Sequence, residues 1–132
     1  MFINDLIETR VINLKSVYKL VEPLIWQDKI FDITVPKGFL YDGASVPLLA
    51  TLIVPRKGGR YDRAACLHDW LYGTHILPRK AADDLFYKAM LSDGVPKWKA
   101  WMIHQAVRIG GKSSYEGKSE DHIRKLRSLA KQ

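Results

Sequence analysis

Two hydrophobic periods divide the chain. Up to Tyr41, apolar residues come in short β-branched and aromatic runs. From Arg60 onward they recur at the spacing of one helix face. Arg10–Leu20, Glu22–Trp26 and Ile30–Val35 read as strands, with Gln27-Asp28 as a turn and Pro23 marking an edge strand or a break. Residues 42–59 are crowded with Pro, Gly, Asp and Ser and read as a loop region, with Leu48–Val54 as a helical turn or two.

Three helices follow. On Tyr61–Tyr72, the residues at 64, 67, 68, 71 and 72 share a face, and Gly73 is the expected stop. Residues 78–91 place Ala82, Leu85, Phe86, Ala89 and Met90 together. From Pro96 to Gly110-Gly111, the residues Trp98, Trp101, Met102, Gln105, Ala106 and Ile109 are in register, which predicts that the tryptophans pack on the other helices. Lys112–Lys118 reads as loop, and Ser119 caps a last short helix carrying Ile123, Leu126 and Leu129. The expected architecture is α+β: a small N-terminal antiparallel sheet packed on a helical part built around an antiparallel helix hairpin. One domain is expected over 1–132, with strands in 1–41, loop in 42–59, a helical core in 60–111 and a basic segment in 112–132.

Composition narrows the class. The chain has 132 residues, 47% of them hydrophobic, which suits a folded domain with its own core and not a disordered chain. No apolar run approaches the roughly 18 residues of a spanning helix, so a membrane-embedded protein is not expected. The opening Met1-Phe2-Ile3-Asn4-Asp5 does not read as a signal peptide, and Cys66 is the one cysteine, so a reducing cytosol is the expected compartment. The formal charge is +7, and residues 96–132 hold nine basic and three acidic groups, or +6 of it. Such an end segment suits a nucleic acid, an anionic surface or an acidic partner, and equally well simple solubility.

The chemistry gathers on the first two helices. His68 and Tyr72 are four residues apart on one face, with Asp69 one residue round. A loop of about five residues makes the next helix antiparallel. Positions equidistant from the loop then face each other, so His68 should meet Asp83, and Tyr72 should meet Arg79. Asp84 should face solvent. A histidine oriented by a carboxylate is a general base awaiting a substrate, and Asp69 would be available to a hard cation. The same group also serves as a buried polar network that pins two helices.

Two resemblances arise from these residues. Val35-Pro36-x-Gly38-Phe39, Asp42-Gly43-Ala44-Ser45-Val46-Pro47, Gly59-Arg60-Tyr61, Leu67-His68-Asp69-Trp70-Leu71-Tyr72, Ala82-Asp83-x-x-Phe86 and Gly94-Val95-Pro96 resemble a family of short phage and prophage proteins, the domain of unknown function 1353. Separately, Cys66-x-His68-Asp69-x-x-Tyr72 with Asp83-x-x-Phe86 resembles the paired catalytic helices of phospholipase A2. That likeness implies His68 as the base activating water, Tyr72 and Asp83 as its supports, and Asp69 as a calcium ligand. The disulfides usual in that family have no counterpart, and Asp42-Gly43-Ala44-Ser45 is the nearest candidate for its carbonyl loop. The function so implied is a phage-type, calcium-dependent lipid or ester hydrolase. The alternative is a non-enzymatic virion or tail component, or a host-protein-binding factor, in which the His-Asp cluster is structural. Host cytoplasm, with or without virion association, is the expected location.

Other features stay open. Asp42, Gly43 and Ser45 either line the substrate pocket or form a turn in which Asp42 caps backbone donors. Ser45 lacks the Gly-x-Ser-x-Gly surroundings of a nucleophile. A zinc site from His68, Asp69 and His75 has no supporting spacing. Cys66 is read as facing away from the core stripe. Trp98 and Trp101 with Lys97, Lys99 and Arg108 would suit a membrane interface if they were not core. No DNA- or RNA-binding motif accompanies Arg124-Lys125-x-Arg127.

Overall fold

The computed structural model describes residues 1–12, 14, 17–41 and 60–131. The expectations for 42–59, including the helical turns at Leu48–Val54 and the candidate pocket residues Asp42, Gly43 and Ser45, lie outside the described residues.

The N-terminal third forms two small antiparallel sheets. Strands β1 (Glu8–Arg10), β2 (Tyr18–Leu20) and β5 (Leu40–Tyr41) form one, in the order β1-β2-β5. Strands β3 (Leu24–Gln27) and β4 (Asp32–Val35) form the other, in a register that pairs Trp26 with Ile33. The run Arg10–Leu20, read as one strand, is instead two strands joined by a connection. Among the described residues of that run Leu20 alone is buried, so they offer no continuous inner face to hold it extended. Leu24 and Trp26 point inward and Ile25 and Gln27 outward, the alternation of a sheet with one wet face. Strand β3 begins directly after Pro23, which has no N–H to give a ladder. At the β3–β4 turn, the Asp28 carboxylate accepts from the backbone of Ile30 and Phe31 at 2.7 Å each, from Trp26 Nε1 at 3.0 Å and from Lys88 Nζ on the helical part at 3.1 Å. At Gly38 φ is +92°, a region open to glycine, which lets the chain turn between β4 and β5.

Among the described residues five helices follow: α1 (Asp62–Thr74), α2 (Arg79–Ser92), α3 (Lys97–Gly110), α4 (Lys112–Glu116) and α5 (Glu120–Leu129). Helix α1 is the centre of the fold. It packs against α2, α4, α5 and β5, and ten of its residues are buried, Cys66 among them. The single apolar face expected for α1, with Cys66 turned away from it, is thereby corrected: a helix covered on several sides buries more than one stripe. Gly73 is also not the stop. The left-handed residue is His75, at φ +53°, and Gly73 stays inside the helix, where Leu126 of α5 packs over it. A Cβ at Gly73 would stand 2.5 Å from Leu126 Cδ1, so the glycine provides space for that contact.

Helix α2 buries the face the sequence predicts, with Ala82, Leu85, Phe86, Ala89 and Met90 inside. Helix α3 is rotated from its expected setting. Its inner stripe is Ala100, Ile103 and Val107, while Trp98, Trp101, Met102 and Ile109 face outward. Small and β-branched residues let α3 lie close on α2, and the bulkier apolar stripe is left on the other side. Lys112–Lys118 is corrected as well: a short helix occupies Lys112–Glu116, held by the stacking of Tyr115 on His75 at 3.8 Å between ring centroids. Ser119 caps α5 as expected, its hydroxyl accepting from the His122 N–H at 3.1 Å.

The sheets and helices share one apolar core, from Phe2, Leu20, Trp26 and Val35 to Leu67, Trp70, Phe86, Met90 and Ile103. Arg63 ties the parts together. It makes a two-pronged pair with Asp93 at 2.6 and 3.0 Å, donates to the Asn4 carbonyl at 2.9 Å, and lies 5.0 Å over the Phe2 ring. No described helix is long and apolar enough to cross a membrane.

Candidate functional site

The α1–α2 hairpin delivers the expected meeting. His68 Nε2 donates to Asp83 Oδ1 at 2.7 Å, and the Tyr72 hydroxyl donates to the same oxygen at 2.6 Å. His68 also stacks on Phe86 of α2, with 4.4 Å between ring centroids, and lies 4.1 Å from the Tyr72 ring. The imidazole is thus clamped between one apolar and one phenolic ring while the carboxylate fixes its tautomer. Asp84, as expected, faces outward, paired with Lys80 at 2.8 Å and His104 at 2.9 Å.

Two arginines complete the cluster. Arg108, near the end of α3, donates to Asp83 Oδ2 at 2.7 Å. Arg79 brings its Nε to 4.0 Å from the same oxygen and donates through Nη2 to the carbonyls of Val107 and Arg108, at 3.0 and 2.6 Å. Sequence reasoning gave neither a part in the site: Arg79 was only the position facing Tyr72, and Arg108 a candidate surface contact. The signal was there, since a buried aspartate beside a histidine and a tyrosine needs a permanent positive charge to remain ionised.

These partners decide the ionisation. Burial alone would raise the Asp83 pKa. The bonds from His68 and Tyr72, the adjacent imidazole and the Arg108 bond outweigh that, and the carboxyl sits below its ordinary value. Burial first, and then the Asp83 carboxylate, push the Tyr72 phenol well above the usual tyrosine value, so Tyr72 remains a hydrogen-bond donor at any physiological pH.

Asp69 is partly exposed and lines a cleft of about 240 Å³. Phe39, Leu40 and Tyr41 line it from around β5, Asp69, Tyr72 and Gly73 from α1, and Lys118, His122 and Leu126 from around the start of α5. Of the His-Asp-Tyr group, Tyr72 lines the cleft and His68 and Asp83 do not. Among the described residues, no three or more His, Cys, Asp or Glu side chains come together to hold a metal ion. Calcium takes six to eight oxygens, and at Asp69 the described residues supply one carboxylate. They do not fit a calcium site by themselves, and the carbonyl loop expected at residues 42–45 falls outside them. The zinc grouping with His75 does not form either: His75 Nε2 is bonded to the Tyr115 carbonyl at 2.8 Å.

Comparison with known proteins sets the family. The chain is similar to two proteins of Sinorhizobium fredii. It is 41% identical over 72 residues to the uncharacterized protein y4iH, covering 53% of this chain and 30% of that one. It is 35% identical over 79 residues to the uncharacterized protein y4jT, covering 58% of this chain and 23% of that one. The match therefore spans less than a third of either relative's own length. No solved structure matches the chain. The family model described as protein of unknown function (DUF1353) matches residues 18–107, a stretch that holds β2 to β5, the whole α1–α2 hairpin and most of α3, and the chain belongs to that family.

Proposed function

We propose that the chain is a phospholipase A2-like hydrolase of lipid or other carboxylic esters, with His68 as general base. The observation that carries this reading is the single Asp83 oxygen shared by His68 Nε2 and Tyr72, on a helix pair whose next residue, Asp69, lines a cleft. In this reading His68 takes the proton from water, the water oxygen bonds to the ester carbonyl carbon, and the imidazolium returns the proton to the leaving alkoxide as the C–O bond breaks. Asp83 supports the imidazolium between those steps, and the Arg108 bond helps to keep Asp83 ionised. The apolar wall of Phe39, Leu40 and Tyr41 suits an acyl chain. No step is routed through a metal. The phage setting belongs to the same proposal and is supported by the motif resemblance.

A second reading has its own observation. His68, Tyr72 and Asp83 are each 0% exposed, and a carboxylate with donors on both oxygens suits a brace between helices. Fatty-acid release from mixed anionic vesicles separates the two, run with calcium and with chelator because the resemblance assigns the cation to Asp69. The hydrolase reading expects turnover by the wild type and background by His68→Gln. Background release by the wild type in both conditions overturns it and leaves the brace.

A further inference from the structure

The outer face of α3 is an uncovered apolar stripe. Trp98 is 59% exposed, Trp101 56%, Met102 41% and Ile109 83%. They lie on one line of the helix, and Tyr87 of α2 joins Lys97, Trp98, Trp101 and Met102 in lining an open groove. The fold does not need these side chains for burial, because Ala100, Ile103 and Val107 already seat α3 on the core. Two half-exposed tryptophans and a methionine side by side mark a contact surface.

The surrounding charge identifies the contact. Helix α3 has no Asp or Glu, and Lys97 and Lys99 flank Trp98, with the Lys99 ammonium 5.4 Å from the Trp98 ring centroid. Residues 96–132 as a whole carry +6. We infer that this face is an anchor for an anionic lipid surface, with α3 lying flat, Trp98 and Trp101 at the headgroup boundary, and Lys97 and Lys99 on lipid phosphates. Indole rings settle where one end is apolar and the other wet, and basic side chains beside them add the electrostatic part of interfacial binding. The 14 residues of α3 extend about 21 Å, enough to lie along a membrane surface and too short to cross it. None of the anchor residues lines the cleft beside Asp69, so the inference stands whether or not His68 is catalytic.

The test is flotation with vesicles of ether-linked phosphatidylcholine, alone or mixed with ether-linked phosphatidylglycerol. Ether lipids offer no acyl ester, so binding is read apart from hydrolysis. The wild type should float with the mixed vesicles and not with the neutral ones. Trp98→Ala/Trp101→Ala should lose at least tenfold in affinity with an unchanged melting temperature. Lys97→Gln/Lys99→Gln should lose roughly 20- to 30-fold at low salt, about fivefold per charge. Equal flotation with both vesicle types, or by the double tryptophan variant, overturns the inference. So does a wild-type dimer in sedimentation that the tryptophan variant dissociates, since the face would then join two copies of the chain.

Discussion

Replacing Asp83 by alanine should be among the most damaging single changes in the helical part, and replacing its neighbour Asp84 among the mildest. Asp83→Ala removes the acceptor for His68 Nε2, Tyr72 Oη and Arg108 Nη1 together. The first two side chains are fully buried, and each buried donor left without a partner costs about 1–3 kcal/mol. The Arg108 side chain is 30% exposed and can turn to water, so it adds little. The sum is about 2–6 kcal/mol, which brackets the roughly 3–5 kcal/mol found when one member of a buried ion pair is removed. With a urea slope of about 2 kcal/mol per M for a chain this size, the midpoint should fall by about 2 M. Asp84 is half-exposed and its partner Lys80 more so, which limits that pair to about 0.2–1 kcal/mol and its midpoint shift to under about 0.5 M. Urea melts followed by circular dichroism, with slopes checked for constancy, measure both. Equal midpoints for the two variants would refute the reasoning, because the facing of α2 and the worth of the shared carboxylate both rest on the difference.

Three further outcomes are expected. Asp83 and Asp28 both have folded-state pKa values below their unfolded ones, Asp28 because four hydrogen bonds outweigh its burial. Their stabilisation is therefore complete above the unfolded carboxylate value of about 4 and is lost as pH falls below it. Asp28→Asn should flatten that acid loss in a pH series of thermal melts, and an unaltered slope would contradict it. A Cβ on Gly111 would lie 2.6 Å from Tyr72 Oη and 2.5 Å from the Val107 carbonyl oxygen. Gly111→Ala should thus cost about 1–3 kcal/mol and lower the melting temperature by several degrees; a melt as high as the wild type's would show that Tyr72 can move away freely. Arg79→Ala removes two bonds to the end of α3, at the Val107 and Arg108 carbonyls, and should speed amide exchange around Gly111, whose N–H is bonded to the Val107 carbonyl, more than at the start of α2.

The α1–α2 hairpin was legible because a short loop between two periodic segments leaves one geometry. Counting outward from it was enough to bring His68 to Asp83. The α3 orientation was not legible for an equally physical reason. That helix carries two stripes at helical spacing, and the bulkier one, Trp98–Trp101–Met102, outweighs Ala100–Ile103–Val107 in any count of apolar residues. Close approach of the helices selected the small stripe. The lysines around Trp98 were the available hint, because burying that ring would have brought two ammonium groups with it. Gly73 was misplaced for a related reason: nothing local announces that the end of α1 is covered by α5, more than forty residues later. The expected pocket residues Asp42, Gly43 and Ser45 fall outside the described part.

That late covering couples the middle of the chain to its last helix. Helix α1 has no basic residue in its last turn, and its terminal carbonyls at Thr74 and His75 are met by Arg127 of α5, at 2.7 and 3.2 Å. Helix α5 has ten residues and none fully buried, so alone it is too short to persist in water. Each element thus supplies what the other lacks: α5 closes the dipole of α1, and α1 with Gly73 gives α5 a seat for Leu126. Helix α5 should therefore open and close against the last turn of α1 as one unit, while the rest of α1 stays packed on α2. Since Lys118, His122 and Leu126 line the cleft beside Asp69, release of α5 would also widen that cleft.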